Sequence, residues 1–305
     1  MIYKFTTFER ARYILRNNCL PLGHLSNYND PYEFSISFFD EEIISFNNNL
    51  SDKQKKEMLI RAVEKIADEE NWSRDMRSAS ASAIGGYGAS ALASFNVIAA
   101  ILLMGGAYLY SYLEKNDKEK TITPNQLDDY MKKLLPMLSH TYTACMSNEI
   151  NNFLLWSHYA DSHKGVVIGF RTDKLPFSDN PPQNVKYTNT RFALDVDRVL
   201  KSDVDKDIKE IILRKSKIWR YEQECRFIFD TEKNREKVIW YDNYDNPIIQ
   251  LDEDSIGGIY FGCRVNTERI LQIRSILSTQ KRKEPVVLKK CKLSMSDYEL
   301  EFIDV

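Results

Sequence analysis

The chain lacks most of the short signatures by which an enzyme announces its chemistry. No GxxxxGK[ST] or GxGxxG run occurs in its 305 residues, so a P-loop or dinucleotide fingerprint is excluded. No GxSxG elbow and no HExxH pair are present either, which removes the usual hydrolase and zinc-protease readings. Histidine is scarce, with four in the whole chain. The five cysteines, Cys19, Cys145, Cys225, Cys263 and Cys291, are odd in number and without CxxC spacing. A disulfide framework or a structural zinc site is therefore not expected, and a reducing cytoplasm is. Net charge is only -2, so no global positive field advertises nucleic acid, although a local basic groove is compatible with that balance. The opening MIYKFTTFERARYIL is interrupted by charge and has no small-residue cleavage site, unlike a signal peptide. No internal repeat or low-complexity tract appears.

Charge is also missing locally. From Ser78 to Leu113 a run of 36 residues carries no Asp, Glu, Lys or Arg, well beyond the ~20 that cross a bilayer. Its most apolar part, 89–110, is interrupted by Ser94, Asn96 and the Gly105–Gly106 pair. Small residues such as Gly85, Gly86, Gly88, Ala91 and Ala93 let helices approach closely. Two readings stand side by side: a membrane-associated segment, or a buried or oligomer-forming helical hairpin.

The remaining pattern is α+β, with strands and helices mixed without regular alternation. IYKFT (2–6) reads as a strand, Thr7 as the cap of a helix over 8–16, and LPLGHL (20–25) as a second short strand. An amphipathic helix is expected over 52–71, and another from Thr123–Pro124 to Leu138 with proline in its first turn. TYTACM (141–146), a short helix over 152–160 and the apolar strand 164–170 follow, then a short strand near 185–187 and a helix over 205–219. RYEQECRFIF alternates with the period of a strand, and KVIWY, PIIQL and GGIYFGCRV add more. A helix over 267–280 and a hairpin-like pair, PVVLKKCKL with YELEFIDV, close the chain. Residues 1–40 and 141–305 are thus expected to form one discontinuous α+β domain around a mixed central sheet, with 41–140 as a helical insertion.

Three stretches carry the polar residues a site would need. Asn29, Asp30 and Glu33 lie in NDPYE, a sequence that fixes a turn and either forms a rigid surface corner or presents its carboxylates into a cleft. In WSHYADSHKGVVIGF (156–170), Trp156 and Tyr159 share a helix face, while His158 and His163 flank a polar turn. A shared metal is not expected of these histidines, whose i, i+5 spacing does not share a helix face well. In WRYEQECRF (219–227), Glu222, Glu224 and Arg226 fall on one side of a strand flanked by aromatics. That row is costly to bury unless the charges pair or meet a ligand. Two carboxylates there can divide the work of binding a sugar hydroxyl and of stabilising or deprotonating a reacting group.

Together these stretches resemble a bacterial family known as domain of unknown function 2971. The resemblance rests on IYKF, LSNYNDPYE, LLWSHYADSHKGVVIGF and WRYEQECRF followed by IGGIYFGCRV, in that order, over 1–36 and 141–280. More loosely, the layout is similar to ADP-ribosyltransferases, in which a strand, a helix and a second strand precede a late strand bearing a catalytic Glu. Glu222-Gln223-Glu224 looks like their Glu-x-Glu motif. That resemblance implies NAD as co-substrate, Glu224 as the catalytic carboxylate, Glu222 as its helper, and Tyr159 or His158 stacked on nicotinamide. It places Lys4 or Thr6 where those enzymes keep a first-strand Arg or His, and groups Asn29, Asp30, Glu33, His163 and Arg226 around the cofactor. The chain has no Ser-Thr-Ser strand motif.

The leading expectation is an intracellular effector of toxin or anti-phage defence type that uses NAD-derived ADP-ribose on a protein or nucleic-acid target. Two others stand beside it. One is a nuclease or other nucleic-acid-modifying enzyme with His158, His163 and Glu224 as acid and base. The other is a non-enzymatic membrane-disrupting or scaffolding effector acting through 78–113, as a homo-oligomer or at a membrane.

Overall fold

The structure is a computed structural model that describes residues 1–25, 28, 30, 36–38, 124–175, 181–194, 196–241 and 246–305. The helix expected over 52–71 and the uncharged segment 78–113 lie outside the described residues. Among those described, no helix is long and apolar enough to cross a membrane. The chain divides into two compact units. Met1–His24, Thr141–Tyr187 and Lys217–Val305 form the first, and Leu25–His140 with Thr188–Ser216 form the second. The unit that contains the expected insertion 41–140 therefore also takes in 188–216.

In chain order the described elements begin with β1 (Ile2–Thr6), α1 (Phe8–Asn17), β2 (Cys19–Pro21), β3 (Gly23–His24) and β4 (Ile36–Phe38). Next come α2 (Pro124–Ser139), β5 (Thr141–Ser147), α3 (Phe153–Tyr159), β6 (Val166–Phe170), β7 (Gln183–Asn184), β8 (Lys186–Thr188) and β9 (Phe192–Leu194). They are followed by α4 (Val196–Lys201), α5 (Val204–Ile212), β10 (Arg214–Ser216), β11 (Glu224–Asp230), β12 (Val238–Tyr241) and β13 (Pro247–Gln250). The last are β14 (Ile256–Phe261), α6 (Thr267–Ser278), β15 (Val287–Leu293) and β16 (Leu300–Asp304).

Local chemistry sets most of these boundaries. Thr7 Oγ1 accepts from the Arg10 amide to start α1, and Asn18, in the left-handed region at φ 46°, ends it. The expected strand over 20–25 is two short strands broken at Leu22. The expected helix over 205–219 stops at Ile212: residues 214–216 are extended and 217–222 form a 3-10 turn.

The first unit is organised by a large mixed sheet in the order β16-β15-β14-β6-β1-β5-β11-β7, with β3 also on β5. Its pairs are antiparallel except β14 with β15. One face carries Ile2, Met146, Ile168, Cys225, Phe227 and Ile259 into a core closed by Phe8, Ala11, Ile14 and Leu15 of α1 and Ile270 and Ile273 of α6. On the other face Tyr3, Phe5, Val167 and Tyr260 pack with Trp156 and Ala160. There the Phe5 ring meets the Trp156 indole edge-on at 5.5 Å. The period of two thus separates an apolar face from one that also carries Glu224 and Arg226.

One edge of β5 is shared. β11 pairs along all of β5, from Glu224 opposite Ser147 to Asp230 opposite Thr141. On the other edge β1 bridges only at Tyr3–Ser147, and β3 takes Tyr142 and Thr143. Between these two partners lies Cys145, whose carbonyl accepts from the Lys4 ammonium at 3.4 Å.

In the second unit α2 begins with Pro124 as expected, and β4 pairs parallel with β9. The Tyr130 hydroxyl donates to buried Asp207 at 2.8 Å. Arg198 bridges Asp207 and Glu210 while lying over the Phe192 ring.

Close backbone approaches fix how α3 meets the sheet. A Cβ on Gly165 would sit 2.3 Å from the Thr6 carbonyl oxygen, and one on Gly262 would sit 2.1 Å from that of His163. Gly262→Ala is therefore expected to lower stability by about 1–3 kcal/mol or more. Gly23→Ala, whose Cβ meets only the Thr143 carbonyl at 3.9 Å, should stay within about 1 kcal/mol of the parent. Urea midpoints at unchanged slope provide the check.

Candidate functional site

The candidate site starts where the 3-10 turn 217–222 runs into β11. Gln223 joins them at φ 42°, a left-handed kink that a non-glycine residue adopts only when its surroundings hold it there. Glu222 is consequently not on the strand, as the alternation of YEQECRF predicts, but at the end of the turn beside it. The kink is pinned from the SNEINN stretch between β5 and α3. Ser147 Oγ donates to the Glu222 carbonyl at 2.6 Å, and the Asn148 amide N–H to the Gln223 carbonyl at 3.0 Å. Asn152 Nδ2 donates to the Tyr221 carbonyl at 2.5 Å, while its Oδ1 caps α3 by accepting from the Leu154 and Leu155 amides. The Glu224 amide donates to the Tyr187 hydroxyl at 2.8 Å.

Two carboxylates, two residues apart in the chain, are both buried in this frame, Glu222 at 3% exposure and Glu224 at 5%. Each has a fixed polar neighbour. Tyr159, in the last turn of α3, donates its hydroxyl to Glu222 Oε1 at 2.7 Å. Arg226, with 0% exposure, grips Glu224 with two N–H groups, Nε to Oε1 at 2.8 Å and Nη2 to Oε2 at 3.0 Å. Such a bidentate pair is the arrangement that makes burying both charges tolerable.

Lys4 of β1 is out of step with Tyr3, Ser147 and Glu224, so its side chain starts from the opposite sheet face, and its ammonium donates to the Cys145 carbonyl. Burial, with Arg10 adding repulsion, pushes its ammonium down to about 8, while Cys145 and the Glu224 carboxylate pull the other way. The amine therefore changes charge near pH 8.

The histidines turn elsewhere. His158 is exposed, with its ring against Tyr159 at 6.2 Å. His163 is buried, lies parallel to the Trp156 indole, and touches Phe153. The Ser157 hydroxyl already donates its hydrogen to the Phe153 carbonyl, so His163 Nε2 carries the hydrogen of the 3.1 Å bond to Ser157 Oγ. His163 Nδ1 has no hydrogen-bond partner among the described residues. Burial, then the Arg264 charge, lowers its pKa. Its residue and the two before it, Asp161 and Ser162, all have φ between 47° and 68°, a tight turn that returns the chain to Gly165 and β6.

Of the residues expected at the site, Tyr159 is hydrogen-bonded to Glu222 and Arg226 is paired with Glu224, while Lys4 starts from the other face of the sheet. His158 reaches the cluster through the Tyr159 ring, and Thr6 is buried at the end of β1. His163 makes its hydrogen bond to Ser157 rather than to a carboxylate. Asp30 is buried in the second unit, and Asn29 and Glu33 lie outside the described residues. Sequence reasoning missed Ser147, Asn148, Asn152 and Tyr187. The polar run SNEINN between a strand and a helix was the available signal for the first three.

A family model described as Protein of unknown function (DUF2971) matches residues 155–227. The matched span runs from α3 to β11. It holds Tyr159, Glu222, Glu224 and Arg226, so the family signature and the buried cluster coincide. No curated protein and no solved structure matches the chain. Among the described residues no group of three or more His, Cys, Asp or Glu is placed to hold a metal ion.

Arg226→Met leaves Glu224 buried without its guanidinium and is expected to cost about 3–5 kcal/mol. The double variant Glu224→Gln/Arg226→Met should recover most of that loss in urea denaturation. Lys4 gives a pH signature. The folded protein releases this proton near pH 8 and the unfolded chain only near 10.5. In that window the unfolded chain binds more protons, so stability rises with pH; below it the full burial penalty applies. Wild type should therefore gain on Lys4→Met as pH rises from 8 towards 10.5, and denaturation of both proteins at several pH values measures the difference.

Proposed function

We propose that this chain is an enzyme of NAD-derived ADP-ribose chemistry, an ADP-ribosyltransferase or NAD glycohydrolase with an ADP-ribosyltransferase-like α+β fold. In this reading it works as an effector of the toxin or anti-phage defence kind. The observation that carries the proposal is that Glu222 and Glu224, two residues apart in the chain, are both buried and held by different partners, Tyr159 and Arg226. Breaking the bond between ribose C1′ and the nicotinamide nitrogen sends the electron pair out with a neutral nicotinamide and leaves positive charge on the ribose carbon and ring oxygen. Fixed carboxylates stabilise such charge without reorganising as it forms.

The donor set suits a ribose. A carboxylate accepts from sugar hydroxyls, and Tyr159 fixes the direction in which Glu222 does so. The guanidinium of Arg226 holds Glu224 in place while using one lone pair of each oxygen. Glu224 faces the developing charge, and Glu222 takes the proton of the incoming acceptor, a protein side chain, a nucleic-acid group or water.

Incubating wild type with NAD and cell lysate should release nicotinamide. Glu222→Gln, which keeps an oxygen for the Tyr159 hydroxyl, should slow that release by about 10²-fold or more. Intact NAD after incubation with folded wild type, or full activity in Glu222→Gln, would remove the proposal. Cleavage of RNA or DNA without NAD, lost on replacing His158 or His163, would favour the nuclease reading instead.

A further inference from the structure

Among the described residues the first unit's sheet ends at β16, and the ladder shows which groups that edge leaves open there. The Val305 amide donates to the Leu288 carbonyl at 3.2 Å and the Ser294 amide to the Glu299 carbonyl at 3.1 Å. With β15 and β16 antiparallel in the register Lys290–Ile303, these two bonds fix the alternation. Glu301, Ile303 and Val305 turn their amides and carbonyls towards β15, and Leu300, Phe302 and Asp304 turn theirs outward. Leu300 confirms the direction, since its amide donates to Asn151 Oδ1 at 3.3 Å. Phe302 and Asp304 remain as a pair of residues whose main-chain groups face away from the sheet.

Proteins guard such edges with proline, bulges, inward charges or charged edge side chains; β16, LEFID, has no proline and no bulge against β15 and carries Glu301 and Asp304 as its charged groups. Its two acids are already matched on β15, Asp304 to Lys289 at 3.5 Å and Glu301 to Lys292 at 4.0 Å. Ile303 stands 47% exposed midway between the two open residues.

We propose that β16 pairs antiparallel with β16 of a second copy of this chain, about a two-fold axis through Ile303. Phe302 of each copy then exchanges both main-chain hydrogen bonds with Asp304 of the other, which satisfies every outward group except those of Leu300. Ile303 meets its own symmetry mate as a non-hydrogen-bonded pair, apolar against apolar. Glu301 comes opposite Val305, and Asp304 opposite Phe302, so no like charges face each other across the axis. A one-residue shift centres the axis on Phe302 instead and brings the Leu300 amide, already given to Asn151, into the ladder. A second copy is the occupant because the two-fold axis lets the one exposed Ile303 supply both halves of the apolar contact, with each acid opposite an uncharged side chain.

A dilution series followed by light scattering tests this on the full chain. Wild type should approach twice the 35.6 kDa chain mass as concentration rises. Ile303→Lys, which puts two ammonium groups together on the axis, should stay at the single-chain mass with an unchanged melting temperature. Ile303→Cys supplies the positive arm. A non-hydrogen-bonded antiparallel pair holds its Cα atoms about 4.5 Å apart, within disulfide range. Mild copper-catalysed air oxidation should therefore link two chains through residue 303, as peptide mapping shows. A wild type that stays single at every concentration, or an Ile303→Lys variant that dimerises as wild type does, would overturn the proposal. So would an Ile303→Cys variant that fails to cross-link.

Discussion

The Glu224–Arg226 pair is the constraint around which the first unit's second sheet face is built. Both groups leave water when the sheet forms, so each depends on the other and on a strand that cannot shift by one residue. A slip of β11 against β5 would drive the two charges into the face lined by Cys225, Phe227 and Phe229 and expose those apolar groups in their place. A buried ion pair of this kind is weak evidence of stability, because apolar residues of like volume often serve as well.

The same economy runs through the surrounding loops. The left-handed Gln223 and the three left-handed residues 161–163 are each held by several main-chain hydrogen bonds. Both bring a polar group into a place a regular strand or helix would not reach: Glu222 against the Tyr159 hydroxyl, and His163 against Trp156. The two turns lie within or adjoin the span that matches the uncharacterised family.

Much of this was legible from the residues. The capping Thr7, the Pro124 start of α2, the fully apolar VVIGF strand and the closing hairpin follow from local rules that tertiary contacts do not override. The alternation in ECRFIF gave the correct faces of β11, with Glu224 and Arg226 on one side and Cys225 and Phe227 on the other. Where sequence reasoning ran past the structure, the cause was non-local. The strand period in YEQEC is broken because Ser147, Asn148 and Asn152, some seventy residues away, bind the backbone of 221–223. The lowered Lys4 was equally hidden, since it depends on β1 and β3 sharing one edge of β5 with a gap at Cys145.

The central claim is that the two buried carboxylates receive a ribose. A crystal structure of the protein soaked with a non-hydrolysable NAD analogue tests it most directly. The account predicts density for the nicotinamide-side ribose, with hydroxyls within hydrogen-bond distance of Glu222 and Glu224 and the Tyr159 hydroxyl still on Glu222. Analogue bound away from both carboxylates, or none bound with the pair intact, would contradict it.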